Sequence, residues 1–135
     1  MLNFVATIIR FNIQYITNRL AKANKGPVKE HVAMLKYLWR YMAEIKSLSL
    51  YANGRQYISN FHLYTYSDTS FADDLFTKVS IGGYMVFLAG CPIIWKSRKQ
   101  TIVTISTTEA EFINLMPTAL SIKWIVEIYV EAGYL

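Results

Sequence analysis

What this chain lacks narrows its function before any motif is read. Of 135 residues one is cysteine, two are histidine, three are proline and only nine are acidic. Cys91 alone cannot close an internal disulfide, so a disulfide-stapled secreted scaffold is excluded and a reducing, intracellular compartment is expected. His31 and His62, with that one cysteine, leave no zinc-ligand spacing. Asp and Glu are outnumbered by fourteen Lys and Arg, and the resulting net charge of +5 favours an acidic partner, either nucleic acid or an anionic surface. Long hydrophobic runs are missing as well. The longest, Tyr84 to Trp95, is broken by Gly90 and Pro92 and falls short of the roughly 20 residues that a spanning helix needs, so no membrane association is expected. The apolar first turns carry Arg10 and no small-residue cleavage site, which argues against a secretory signal.

What is present is apolar bulk: 53% hydrophobic residues against 17% charged, enough to bury a core in one compact domain or in parts of two. From Phe4 to Leu20, Val5, Ile8, Ile9, Ile16 and Leu20 recur at near-helical spacing, and the segment ends at Gly26-Pro27. A second helix is predicted over Val28 to Ile45, with Val28, Val32, Leu35, Trp39, Met42 and Ile45 as its apolar stripe. The two should pack as a hairpin. Asn53-Gly54 signals a tight strand turn that closes this unit near residue 58. Phe61 to Ser67 alternates as a strand with His62, Tyr64 and Tyr66 on one face and Asp68 at the end of that face. Val79 to Ala89 and Pro92 to Trp95 supply two more strands around Gly90, and Thr101 to Ile105 is β-branched enough to extend the sheet. Ser106 and Glu109 then have capping-box spacing at a helix start. Phe112, Leu115, Ala119, Ile122 and Val126 are the expected inward stripe, and Pro117 is expected to kink or divide the helix.

Two carboxylates carry the chemical interest. Asp68 stands at a strand end, and Glu111 stands in the first turns of the following helix, where both could enter one cleft. Hard oxygen ligands in such a place suit divalent metal ions and phosphodiester displacement. From the residues alone the same acids also read as a turn cap at Asp68 and as acids at the positive end of a helix at Glu109 and Glu111. Asp73-Asp74 lacks the flanking strand pattern of a polymerase site and reads as a surface loop. Lys96, Arg98 and Lys99 form a basic turn beside Trp95 that could touch a phosphate backbone or be a solvated turn.

In order, the run Ser67 to Asp74, the Gly82-Gly83-Tyr84 strand, Trp95-Lys96-Ser97-Arg98-Lys99-Gln100 and Ser106-Thr107-Thr108-Glu109-Ala110-Glu111-Phe112 resemble the ribonuclease H domain of copia-type LTR retrotransposon Pol polyproteins. The stretch from His31 to Met42 is similar to a helix at the end of the reverse transcriptase region that precedes it. The resemblance implies an α/β architecture: a partial ribonuclease H-like fold of antiparallel strands followed by a helix over 59–135, preceded by an α-helical hairpin over 1–58. It implies Asp68 and Glu111 as catalytic, magnesium-binding (Mg2+) residues, an RNA–DNA hybrid as substrate, and Lys96, Arg98 and Lys99 as nucleic-acid contacts. Ser70, Phe71 and Asp73 depart from the family's aspartate, tryptophan and glycine. The family's further metal-binding aspartates come from a later strand and helix, so little or no nuclease activity is expected of these residues alone. A non-catalytic nucleic-acid-binding remnant is the alternative, and an inactive fragment that self-associates through an unpaired sheet edge is a third reading.

Overall fold

The computed structural model describes residues 2–50, 62–74 and 76–134, and the chain divides into two compact units, Met1–Tyr51 and Ala52–Leu135. The Asn53-Gly54 turn lies outside the described residues.

The first unit is helical. The continuous helix expected over Phe4 to Leu20 is instead α1, Leu2–Ile8, a 3-10 turn at Phe11–Ile13, and α2, Gln14–Lys22. The interruption falls at Arg10, whose backbone leaves the helical region at φ −128°, ψ 80°. Its guanidinium donates to the carbonyl oxygens of Ile45 and Lys46 at 2.9 and 3.2 Å, just past the end of α3, Lys29–Glu44. Carbonyls at a helix C-terminus lack intrahelical partners and sit at its negative pole, so this tertiary pairing competes with helix continuation across a β-branched Ile8-Ile9 step of modest helix propensity. α3 opens with the Val28 N–H donating to His31 Nδ1 at 3.1 Å. Ala6, Ile13 and Leu38 form the core, with Leu20, Tyr41 and Met42 packed around it. The expected stripe of α3 is therefore rotated: Leu38 is buried, whereas Val32 and Trp39 are about half exposed.

The second unit is a sheet with one helix on it. β1, Leu63–Ser70, β2, Ile81–Leu88, and β3, Cys91–Lys99, form a three-stranded antiparallel sheet in the order β1-β2-β3, followed by α4, Thr107–Glu131. The mixed α/β class expected from the sequence is found, and it is consistent with a partial ribonuclease H-like fold. Strand alternation is strict in β1, where Tyr64, Tyr66, Asp68 and Ser70 are exposed and the residues between them half-buried. α4 packs on β1 and β2, and Tyr84, Val86 and Ile125 close the core with Leu63, Ile94 and Ile122.

Three expectations are corrected here. Thr101 to Ile105 is not a strand: β3 already reaches Lys99 opposite Ile81, the first residue of β2, so no strand backbone remains for the segment to pair with. Pro117 lies inside α4 without dividing it. Proline deprives only the carbonyl four residues earlier of its partner, and packing of the helix on the sheet offsets that loss. The inward face of α4 is Ala110, Asn114, Thr118 and Ile125, with Ile122 beside them, whereas Phe112 and Leu115 of the expected stripe are exposed. Among the described residues no helix is long and apolar enough to cross a membrane.

The β2–β3 turn is Ala89-Gly90, with φ of 49° and 77°, the left-handed pair that a two-residue hairpin needs. Alanine is strained there. Ala89→Asn should stabilise the protein by roughly 1 kcal/mol, read as a higher urea midpoint at unchanged slope.

Candidate functional site

The topology carries Asp68 and Glu111 to one corner of the second unit. Asp68 lies near the end of β1, and Glu111 lies at the start of α4. Their chain neighbours touch: Thr69 Oγ1 donates to the Ala110 carbonyl at 3.4 Å, and the same carbonyl accepts from Gln100 Nε2 at 2.7 Å. The start of α4 is fixed by its own cap. Glu109 N–H donates to Ser106 Oγ at 3.1 Å, and the Glu109 carboxylate accepts from Ile105 N–H at 2.8 Å. The predicted capping box thus forms on the hydroxyl side, while its carboxylate reaches one residue further back. Glu109 is occupied in holding the helix end, and Glu111 is exposed.

The side chains meet less closely than the backbones. Ser67 and Thr69 turn towards α4, so alternation sends Asp68 to the opposite, exposed face of β1. Among the described residues neither Asp68 nor Glu111 is paired with a cation, and no group of three or more His, Cys, Asp or Glu is gathered where a metal could bind. A magnesium ion takes about six oxygen ligands in near-octahedral geometry. Two carboxylates on different faces do not fit a complete magnesium centre.

What joins strand and helix at this corner is Asn114, a buried residue that sequence reasoning missed. Its Nδ2 donates to Ser67 Oγ at 2.8 Å, to the Asp68 carbonyl at 2.9 Å and to the Gly83 carbonyl at 2.9 Å. Thr118 adds contacts to Ser67 Oγ and to the Asn114 carbonyl. A Cβ on Gly82 would come within 2.2 Å of Asn114 Oδ1, so the glycine is the space in which the amide sits. The available signal was an asparagine, a poor helix former, in the middle of an otherwise apolar helix.

The basic run is not a turn but the second half of β3. Alternation separates exposed Lys96 and Arg98 from Lys99, and Lys99 is already engaged: its ammonium pairs with Asp74 Oδ2 at 2.5 Å and donates to Thr77 Oγ1. The Lys99 ammonium and the N–H groups of Thr77 and Phe76 hold the Asp74 carboxyl well below the usual carboxylate range. Asp74 thereby ties the loop after β1 to the end of β3. Of the three predicted phosphate contacts, Lys96 and Arg98 retain exposed cations.

Over 92% of its length the chain is 36% identical to the retrovirus-related Pol polyprotein from transposon RE1 of Arabidopsis thaliana and 34% identical to that from transposon RE2 of the same plant. It is 29% identical over 98% of its length to the Pol polyprotein from transposon TNT 1-94 of Nicotiana tabacum. The chain is a relative of the copia-type Pol polyproteins. It spans between 8% and 10% of the length of these Pol relatives. No protein-family model matches it, and no solved structure matches it.

Two tests probe this corner of the Pol-related unit. Gly82→Ala should destabilise by about 1–3 kcal/mol, because overpacking pushes on an amide held by three acceptors. Combining it with Asn114→Ala should cost less than the sum of the two single changes, measured as a double-mutant cycle in urea. For Asp74 the native pKa is depressed, so its stabilisation is complete above the unfolded value near 4 and is lost as pH falls through the lower native value. The melting temperature of Asp74→Asn should lie below that of the wild type at pH 7, with the gap closing in acid.

Proposed function

We propose that this chain corresponds to the junction of a copia-type Pol polyprotein where the end of the reverse transcriptase region meets the first part of a ribonuclease H domain. Its inherited role is metal-dependent hydrolysis of the RNA strand of RNA–DNA hybrids. The observation that carries this reading is the order of elements around one corner: three antiparallel strands with Asp68 near the end of the first, then a helix that begins beside it and bears Glu111. In this role Asp68 and Glu111 would be two of the magnesium ligands, and they do not complete the set. The chain by itself is accordingly inactive.

A charge count favours a second reading. Residues 1–51 hold eight Lys or Arg against two Glu, and residues 52–135 hold six against seven acids. The positive excess therefore resides in the helical unit, and a non-catalytic remnant that binds nucleic acid through that unit needs no metal.

Both readings are tested on a labelled RNA–DNA hybrid. The chain alone should show no magnesium-dependent cleavage. Placed in an active relative in exchange for the matching segment, it should support cleavage that Asp68→Asn or Glu111→Gln lowers by at least about a hundredfold, since a metal ligand is lost. A graft that cleaves equally well with Asp68→Asn defeats the nuclease reading. Binding that falls steeply with salt, survives Asp68→Asn and weakens when Lys22, Lys25 and Lys29 become alanine is the mark of the remnant, because phosphate contacts release counterions.

A further inference from the structure

The first unit holds a cavity that the corner of the second unit does not involve. It has a volume of about 460 Å³ and lies between α1, α2 and α3, with Leu20, Val32, Leu35 and Trp39 among its apolar walls and Thr17 and His31 among its polar ones. That volume falls in the range of small-molecule sites, which are mostly apolar with a few convergent polar groups.

Thr17 makes the cavity more than a gap in packing. It is 3% exposed, and its hydroxyl has no hydrogen-bond partner. A buried polar group without a partner costs about 1–3 kcal/mol, and threonine in a helix can ordinarily bond the carbonyl one turn back. Here the hydroxyl is left as an unused donor on the cavity wall. His31 supplies a second. Its Nδ1 accepts the Val28 N–H, which leaves the hydrogen of the neutral ring on Nε2. Two donors among apolar walls select an acceptor at one end of an apolar body. The surrounding charge sharpens the choice: Lys22 and Lys25 are exposed and lie in sequence between the lining residues Ala21, Ala23 and Asn24, in a unit with eight cations and two anions.

We propose that this cavity is a binding site for an apolar monocarboxylate, with the carboxylate accepting from Thr17 and His31 and the hydrocarbon lying along Leu20, Leu35 and Trp39. Apolar burial holds the tail, and the two donors set the orientation.

The test uses the full chain and octanoate, followed by titration calorimetry, with 1-octanol as the neutral comparison. Octanoate should bind saturably and more tightly than octanol. Thr17→Val removes the hydroxyl while keeping the side-chain shape, and it should weaken octanoate by about tenfold, the loss of one hydrogen bond to a charged group. The same variant should raise the melting temperature of the ligand-free protein, because an orphaned hydroxyl disappears. Ala21→Phe fills the cavity from a small residue and should abolish binding, with the helical circular dichroism signal retained. Absence of saturable octanoate binding to the folded wild type overturns the proposal, as does unchanged affinity in Thr17→Val. Octanol binding as tightly as octanoate overturns the assignment of a carboxylate.

Discussion

The sheet-and-helix unit depends on one amide. Asn114 reaches from α4 to the backbones of β1 and β2 at once, donating to the carbonyls of Asp68 and Gly83, and it fits only because Gly82 has no side chain. These strand residues are ladder partners or adjacent to them, Asp68 opposite Gly83 and Thr69 opposite Gly82, so a single side chain fixes both the depth at which α4 lies and its position along the strands. A buried amide is costly unless satisfied. Its satisfaction therefore selects one register of helix on sheet, and that register brings the start of α4 to the end of β1.

The same constraint explains why α4 carries so much exposed apolar surface. With Ala110, Asn114 and Thr118 turned to the sheet, the larger residues Phe112, Met116, Leu120 and Trp124 follow one another at four-residue spacing on an exposed face. Close approach needs small residues on the inner face, and bulk is displaced outwards. Sheet edges show a related pattern. Among the described residues β1 and β3 each have a strand on one side only, and unpaired edges offer backbone groups to any strand that approaches.

Strand positions were the most legible part of the sequence, since alternation in β1 and the glycine-bounded hairpin of β2 and β3 are local signals with a period of two. The cap at Ser106 was legible for the same reason. Helix faces were not. α4 is apolar all round, so no stripe stands out, and the choice between Leu115 and Asn114 as the inward residue rests on contacts with Gly82 that lie far away in sequence. The break at Arg10 was hidden likewise, because the carbonyls that draw its guanidinium come from the far end of the next helix. The basic run misled in a simpler way: Lys99 is a cation by composition but half of an ion pair with Asp74 by geometry.

The sequence by itself determined the α/β class, the order of strands before helix, and the placing of Asp68 and Glu111 at two neighbouring element ends, because these follow from periodicity, turn residues and caps acting within a few residues. Tertiary structure alone decided which face of each helix is buried, that Pro117 is absorbed without a break, that Asp68 turns away from α4, and that a hydroxyl at Thr17 is left facing a cavity. Each of these depends on which distant atoms share a small space. Close packing and the demand that buried polar groups find partners settle that only once the chain is folded.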